Sequence, residues 1–179
     1  MPDTAPAPAL AFADHDHGRC RASMLDALAR AARTRGLRLT PARVRVLELL
    51  GEAHRAMGAY ELLDRLRAEG LGLQPPVVYR ALEFLIGAGF AHKIERLNAY
   101  VACCHPGDED GREPGHELGH VACFLICSAC HKVAEIKDPA LGAALAAAAA
   151  GRGFAVGRTV LEIEGTCPAC QAAGTDAAP

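Results

Sequence analysis

Two Cys-x-x-Cys pairs, Cys127-Ser-Ala-Cys130 and Cys167-Pro-Ala-Cys170, constrain this chain more than any other feature. Two thiolates three residues apart on a tight turn present both sulfurs to one ion. Two such turns complete a tetrahedral four-sulfur shell, which suits zinc. The pairs are separated by 36 residues, against roughly 15 to 20 in a compact zinc ribbon. A strand, a helix and a strand fit within that interval, so one metal site would pin the end of a small domain to its beginning. The competing readings are a redox Cys-x-x-Cys and unrelated buried thiols. Eight cysteines in a chain with no secretory leader pattern point to metal ligands rather than disulfides.

The residues before the pairs follow a different rhythm. Ser23 can cap a helix carrying Leu25, Leu28 and Ala29, with Gly36 as its stop. Leu39-Thr40-Pro41 is a helix start, Thr40 as N-cap and Pro41 at the first helical position. Val44, Leu47, Leu49 and Leu50 follow, and Gly51 ends the run. A third helix is expected over residues 59–69, with Leu62, Leu63 and Leu66 inward. A fourth begins near Pro75-Pro76 and carries Val78, Leu82, Leu85 and Ile86 at helical spacing. Two extended runs, residues 90–95 and 99–103, flank a turn at Leu97-Asn98. Helices followed by a two-stranded hairpin form the winged helix-turn-helix pattern, in which the last helix enters the major groove.

The expected fold class is α+β, with an N-terminal winged helix-turn-helix DNA-binding domain and a C-terminal α/β dimerisation domain built around a four-cysteine zinc site. Residues 1–20 read as a flexible tail, 21–104 as the winged helix and 105–119, rich in Gly, Pro and acid, as a loop between domains. Residues 120–172 read as the dimerisation and metal-binding domain and 173–179 as a polar tail. The second domain is expected as strand 121–126, strand 132–136, helix 139–150 and strand 154–164. It is short for an independent core, so a metal and a dimer partner are its natural supports.

Charge supports the division. Residues 21–96 hold 13 Arg and Lys against 8 Asp and Glu, whereas residues 97–179 hold 5 against 10, although the whole chain is only −2. Such asymmetry suits a nucleic-acid-facing half joined to something else, and equally an ordinary solvated surface. The apolar run at residues 141–150 is far shorter than the roughly 20 residues a bilayer span needs, so a cytoplasmic protein is expected.

A second set of metal-ligating side chains is scattered along the chain: His92, Cys103, Cys104, His105, His116, His120, Cys123, His131 and Glu135. Two imidazoles, one thiolate and one carboxylate drawn from both halves would balance a divalent ion, and the single sulfur makes such a site softer than an all-nitrogen and oxygen one. His15-Asp-His17 with Cys20 could bind metal as well, but reads better as solvated tail. His116-Glu-Leu-Gly-His120 is a literal HExxH, the zinc metalloprotease signature, which works only on a helix. Pro114, Gly115 and Gly119 argue against a helix there.

Taken in order, Arg38-Leu-Thr-Pro-Ala-Arg43, Ala59-Tyr60-Glu-Leu-Leu, Pro76-Val-Val-Tyr79-Arg80-Ala-Leu-Glu-Phe-Leu, Gly89-Phe-Ala-His-Lys93 and the two cysteine pairs resemble the ferric uptake regulator family, over residues 21–170. Asn98-Ala-Tyr100-Val-Ala-Cys103 resembles its zinc-sensing branch, and the stretch before Cys127 lacks the His-rich run of the iron-sensing members. The resemblance implies a zinc-responsive repressor of zinc-uptake genes, a homodimer on an AT-rich palindromic operator, with one or two dimers per site, and no enzymatic activity. It implies two zinc ions per protomer, a structural one on Cys127, Cys130, Cys167 and Cys170 and a regulatory one on His92, Cys103, His120 and Glu135. It implies that Tyr60, Tyr79 and Arg80 face DNA, while Arg38, Arg43 and Lys93, with Arg33, Arg35 and Arg45, are candidates for contact with the DNA backbone. Val77 stands where Thr is usual and His131 where Gly is usual. An iron- or peroxide-responsive regulator of the same fold is the first alternative, a zinc-stabilised module without DNA binding the second and the metalloprotease the remote one.

Overall fold

The structure, a computed structural model, describes residues 12, 17–52, 55–71, 74–103, 122–136, 138–157 and 159–175. Two compact units separate along the chain, the first ending and the second beginning between β2 and β3.

The first unit contains α1 (His17–Arg35), α2 (Pro41–Leu50), α3 (Ala59–Ala68), α4 (Pro75–Gly87), β1 (Ala91–Ile94) and β2 (Ala99–Ala102). α2 starts where its chemistry says it should. The Thr40 hydroxyl accepts from the Arg43 N–H at 3.4 Å, and Pro41 occupies the first turn, where its missing N–H costs nothing. α1 starts at His17, inside the stretch read as tail and six residues before Ser23. Gly36, with φ of +64°, turns the chain out of α1 in a conformation costly to any residue with a Cβ.

Each helix turns an aliphatic stripe to a common core: Met24 and Leu28 from α1, Val46, Leu47, Leu49 and Leu50 from α2, Leu62, Leu63 and Leu66 from α3, and Val78, Leu82 and Leu85 from α4. Most are fully buried, and each such side chain contributes about 1.5–3 kcal/mol relative to exposure. β1 and β2 pair antiparallel in the register Ala91↔Ala102 to Ile94↔Ala99. Asn98 takes φ of +44° at the turn, one of the few non-glycine residues that accepts it readily. Met57 and Tyr100 exchange backbone hydrogen bonds of 2.8 and 2.9 Å, tying the segment before α3 to the hairpin.

The second unit is a three-stranded sheet in the order β4-β3-β5. β3 (Ala122–Cys127) lies between antiparallel β4 (Val133–Ile136) and parallel β5 (Val160–Gly165). α5 (Pro139–Ala150) connects β4 to β5, opened by the Asp138 carboxylate accepting from the Ala140 N–H at 2.8 Å. A short α6 (Pro168–Ala172) closes the unit. β5 begins at Val160 rather than at residue 154, because its register starts opposite Ala122, where β3 itself starts among the described residues. None of the described helices is long and apolar enough to cross a membrane.

Candidate metal centre and nucleic-acid interface

The end of β3 delivers Cys127, and the following turn brings Cys130 back beside it. The His131 N–H donates to the Cys127 carbonyl at 2.9 Å and closes that turn. Ser128 N–H donates to the Gly165 carbonyl at 2.9 Å, joining the knuckle to the end of β5. Two residues after β5 ends, Cys167 caps α6, with Pro168 at the first helical position and Cys170 one turn on. This helix was missed from sequence, although Cys167-Pro168 is itself the signal of a helix start.

The four thiol sulfurs all lie within 4.8 Å of one another. A tetrahedral zinc with bonds of about 2.3 Å separates its sulfurs by about 3.8 Å. The Cys130 and Cys167 sulfurs are 3.8 Å apart, well beyond the roughly 2.05 Å of a disulfide. Cys127, Cys130, Cys167 and Cys170 are all unbridged. The donor set and spacing therefore fit one tetrahedral thiophilic ion.

Electrostatics prepares the cluster for it. Burial opposes ionisation of Cys127. Donors outweigh that: the N–H groups of Cys167, Cys130 and Ala129 and the Cys130 thiol bring Cys127 down to about 6. The Cys167 N–H reaches the Cys127 sulfur at 3.4 Å. The hydrogen bond between Cys170 and Cys167, then burial and the Cys130 thiol, push Cys170 up to about 12. Burial raises Cys130 as well. Cys127 thus readily becomes a thiolate while Cys130 and Cys170 hold their protons more firmly, and an incoming cation would displace them.

His131 is exposed with φ of +58°, the left-handed region where Gly is at ease. The backbone explains why Gly is usual there and carries some strain with His in its place.

Of the second ligand set, β1 carries His92, opposite Val101, and Cys103 follows β2. The ligand atoms of His92 and Cys103 lie within 4.8 Å of each other, and the Cys103 N–H donates to the Phe90 carbonyl at 3.0 Å. Glu135 belongs to the second unit, on β4 opposite Phe124, and is largely buried. His120, Cys104, His105, His116, the HExxH motif at residues 116–120 and His15 lie outside the described residues. Cys123 is a buried strand thiol on β3, its ionisation opposed by burial.

α4 divides cleanly into two faces. Val78, Ala81, Leu82 and Leu85 are buried, while Tyr79 (39% exposed), Arg80 and Glu83 point outward. Tyr60, at the second position of α3, is 66% exposed. Tyr100 on β2 is buried, and burial above all raises its phenol, with Lys93 on β1 and Tyr79 and Glu83 on α4 acting on it electrostatically.

The candidate cations are not equivalent. Arg80, Arg38 and Arg33 are exposed, and their side chains form no ion pair among the described residues. Arg43 lays its guanidinium 3.7 Å over the Phe84 ring and donates to the Arg38 carbonyl, so it braces α2 against α4. Arg35 donates to the Ala88 carbonyl at 3.1 Å. Lys93 pairs with Glu95 at 2.6 Å. Arg45 is the most committed. Its Nε and Nη2 donate to the two Glu69 oxygens at 2.7 and 2.6 Å, and Nη1 to Glu48 at 2.7 Å. Those partners hold its charge far more firmly than usual.

Comparison with known proteins places this arrangement. No family model matches the chain. The zinc uptake regulation protein of Escherichia coli (strain K12) is 40% identical over 136 residues, covering 76% of this chain and 74% of that protein. The crystal structure of holo XcZur superposes with a TM-score of 0.71 at 43% identity, over 84% of this chain and 98% of the other. A zinc uptake regulator complexed with zinc and DNA superposes with a TM-score of 0.76 at 34% identity, over 87% of this chain and 97% of the other.

Proposed function

The chain belongs to the zinc uptake regulator branch of the ferric uptake regulator family, and on that premise we propose that it is a zinc-responsive transcriptional repressor of zinc-uptake genes, acting in the cytoplasm as a zinc-loaded homodimer on AT-rich palindromic operator DNA. The observation that carries this reading is the likeness, along most of the chain, to a regulator complexed with zinc and DNA. The outward Tyr79 and Arg80 on α4 and the four-sulfur cluster supply the matching chemistry.

In this reading each protomer lays α4 in the major groove, with the hairpin against the backbone. Tyr79 and Arg80 meet the bases, Tyr60 and Arg38 the flanking phosphates, while Arg43 and Lys93 act partly through the partners they already hold. Phosphate contacts of this kind make binding fall steeply with salt. Arg45, with its acidic partners, contributes least to that slope.

Cys127, Cys130, Cys167 and Cys170 hold the structural zinc. His92, Cys103, His120 and Glu135 are the ligands of a second, regulatory zinc, making two per protomer. Ligands drawn from both units make the relation between them responsive to zinc, provided the ion binds one arrangement more tightly than the other. Shifting a population from mostly unfit to mostly fit for DNA takes about 5.5 kcal/mol. Structural zinc sites in small peptides supply about 10–16 kcal/mol, so the regulatory site needs only part of such a free energy.

The test is DNA binding by the full chain titrated with zinc, iron, manganese and chelator, with metal analysis of the same sample. Zinc-dependent binding with two zinc ions per chain is the expected result. Cys103→Ser is expected to keep one zinc and the fold and to lose the zinc response. Unchanged operator affinity in Cys103→Ser would overturn the regulatory ligand set. Zinc-independent binding by the parent chain would overturn the function.

A further inference from the structure

The outward face of α4 carries a third polar residue that the readings above do not use. Among its described residues the first unit contains eight carboxylates, at Asp26, Glu48, Glu52, Glu61, Asp64, Glu69, Glu83 and Glu95. Six are in ion pairs: Glu48, Glu52 and Glu69 with Arg45, Glu52 also with Arg65, Glu61 with Arg55, Asp64 with Arg67 and Glu95 with Lys93. Glu83 is exposed and forms neither an ion pair nor a hydrogen bond among the described residues. Asp26 shares that condition, but it lies on α1. Glu83 is therefore the one unpaired carboxylate on the helix with the strongest claim to lie among phosphates.

Its neighbours sharpen the point. Arg80 precedes it by three positions and Tyr79 by four, spacings that put all three on one face of a helix. An Arg and a Glu three apart can pair, yet Arg80 and Glu83 do not, so each side chain keeps its own hydrogen-bonding capacity. An unpaired negative charge near DNA weakens binding to phosphate at every sequence. A donor on the base edge offsets that cost, and cytosine N4 is the major-groove donor that Glu is suited to meet. The helix rises 1.5 Å per residue, so Glu83 sits about 4.5 Å further along the axis than Arg80. Stacked base pairs are about 3.4 Å apart, which places its target one or two pairs away.

We propose that Glu83 is a specificity-determining residue: its carboxylate accepts a hydrogen bond from the amino group of a cytosine one or two base pairs from the base that Arg80 meets, and its charge disfavours guanine and thymine, whose major-groove edges offer no donor, at that place. This rests on α4 being the DNA-reading helix.

The experiment is selection from a randomised pool of duplex DNA by the zinc-loaded full chain, repeated with Glu83→Ala, Glu83→Gln and Arg80→Ala. The parent is expected to enrich a motif with a cytosine preference that Glu83→Ala flattens at a single position. Discrimination there should fall by roughly 5- to 150-fold, the range of one good side-chain–base contact. Glu83→Gln is expected to move the preference towards adenine, whose edge Gln matches. Arg80→Ala should flatten a different position. A Glu83→Ala motif identical to the parent's at every position, with Arg80→Ala altered, overturns the role of Glu83 and leaves α4 as the reading helix. A parent that enriches no motif with zinc overturns both. Glu83 is exposed, so an unchanged melting temperature is expected in each of its variants.

Discussion

The two units hold themselves together by different means. In the first, α1 to α4 and the hairpin enclose twenty buried side chains, nearly all aliphatic, in one continuous core. In the second, the buried set is small: Cys123, Phe124, Ile126, Cys127, Val133, Ala134 and Cys167, with Glu135 beside them. α5 buries no residue fully, and Phe154, Val160 and Ile163 are 67%, 39% and 43% exposed. A domain of that size with so thin a core relies on a metal or a partner. The zinc proposed for the four-sulfur cluster would be one such support, joining β3 to the segment after β5. The exposed apolar residues are the natural surface for the homodimer proposed above. The difference teaches that one unit carries its stability in local packing and the other in chemistry supplied from outside the chain.

The contrast predicts a selective collapse. Cys127→Ser, or chelation of the parent, is expected to remove most of the ~10–16 kcal/mol that structural zinc sites supply. Amide exchange should then lose protection throughout β3, β4 and β5 while the amides of α2 and α4 keep theirs. Equal protection of the sheet in Cys127→Ser and parent would break the comparison.

The opposite lesion is Leu47→Ala in the fully buried centre of the first unit. A cavity there is expected to cost about 2–5 kcal/mol. Denaturant unfolding followed by probes in α2 should report it, with one zinc still retained by the cysteine cluster. Loss of that zinc in Leu47→Ala would show that the units do not fold separately.

A gentler change sharpens the picture of the second unit. His131 holds φ of +58° at the knuckle, so His131→Gly relieves left-handed strain and is expected to stabilise the zinc-loaded sheet by up to ~1 kcal/mol. A lower melting temperature would instead give the His131 side chain a role at the metal.

The smallest effect belongs to the surface of the first unit. The Arg45 hydrogen bond holds the Glu69 carboxyl below its ordinary 4.5. A lowered folded value means the contribution is fully present above 4.5 and is lost as pH falls through the folded value. Both partners are solvent-accessible, so the gain is slight. Glu69→Gln should melt slightly below the parent at pH 7, with the gap closing in acid. A gap independent of pH would mean that Glu69 acts by packing rather than charge.

Much of this molecule is written in short spans of chain. Thr40-Pro41 and Asp138-Pro139 announce helices because capping is decided within four residues. The stripe of Val78, Leu82 and Leu85 predicts both the helix and its buried face, since 3.6-residue periodicity is local. The spacing within each cysteine pair suggests a metal site from the sequence, because two thiols three residues apart can face one ion. Only the tertiary structure decided which charges are spent inside the protein. Arg45 finds Glu69 across 24 positions, Arg43 finds the Phe84 ring and Glu83 finds no partner among the described residues, although in sequence all are plain surface charges. It likewise decided that β5 starts at Val160, because a strand extends only as far as a neighbour pairs with it. Periodicity and capping are properties of a segment, whereas ion pairing and strand length depend on what the rest of the chain brings within reach.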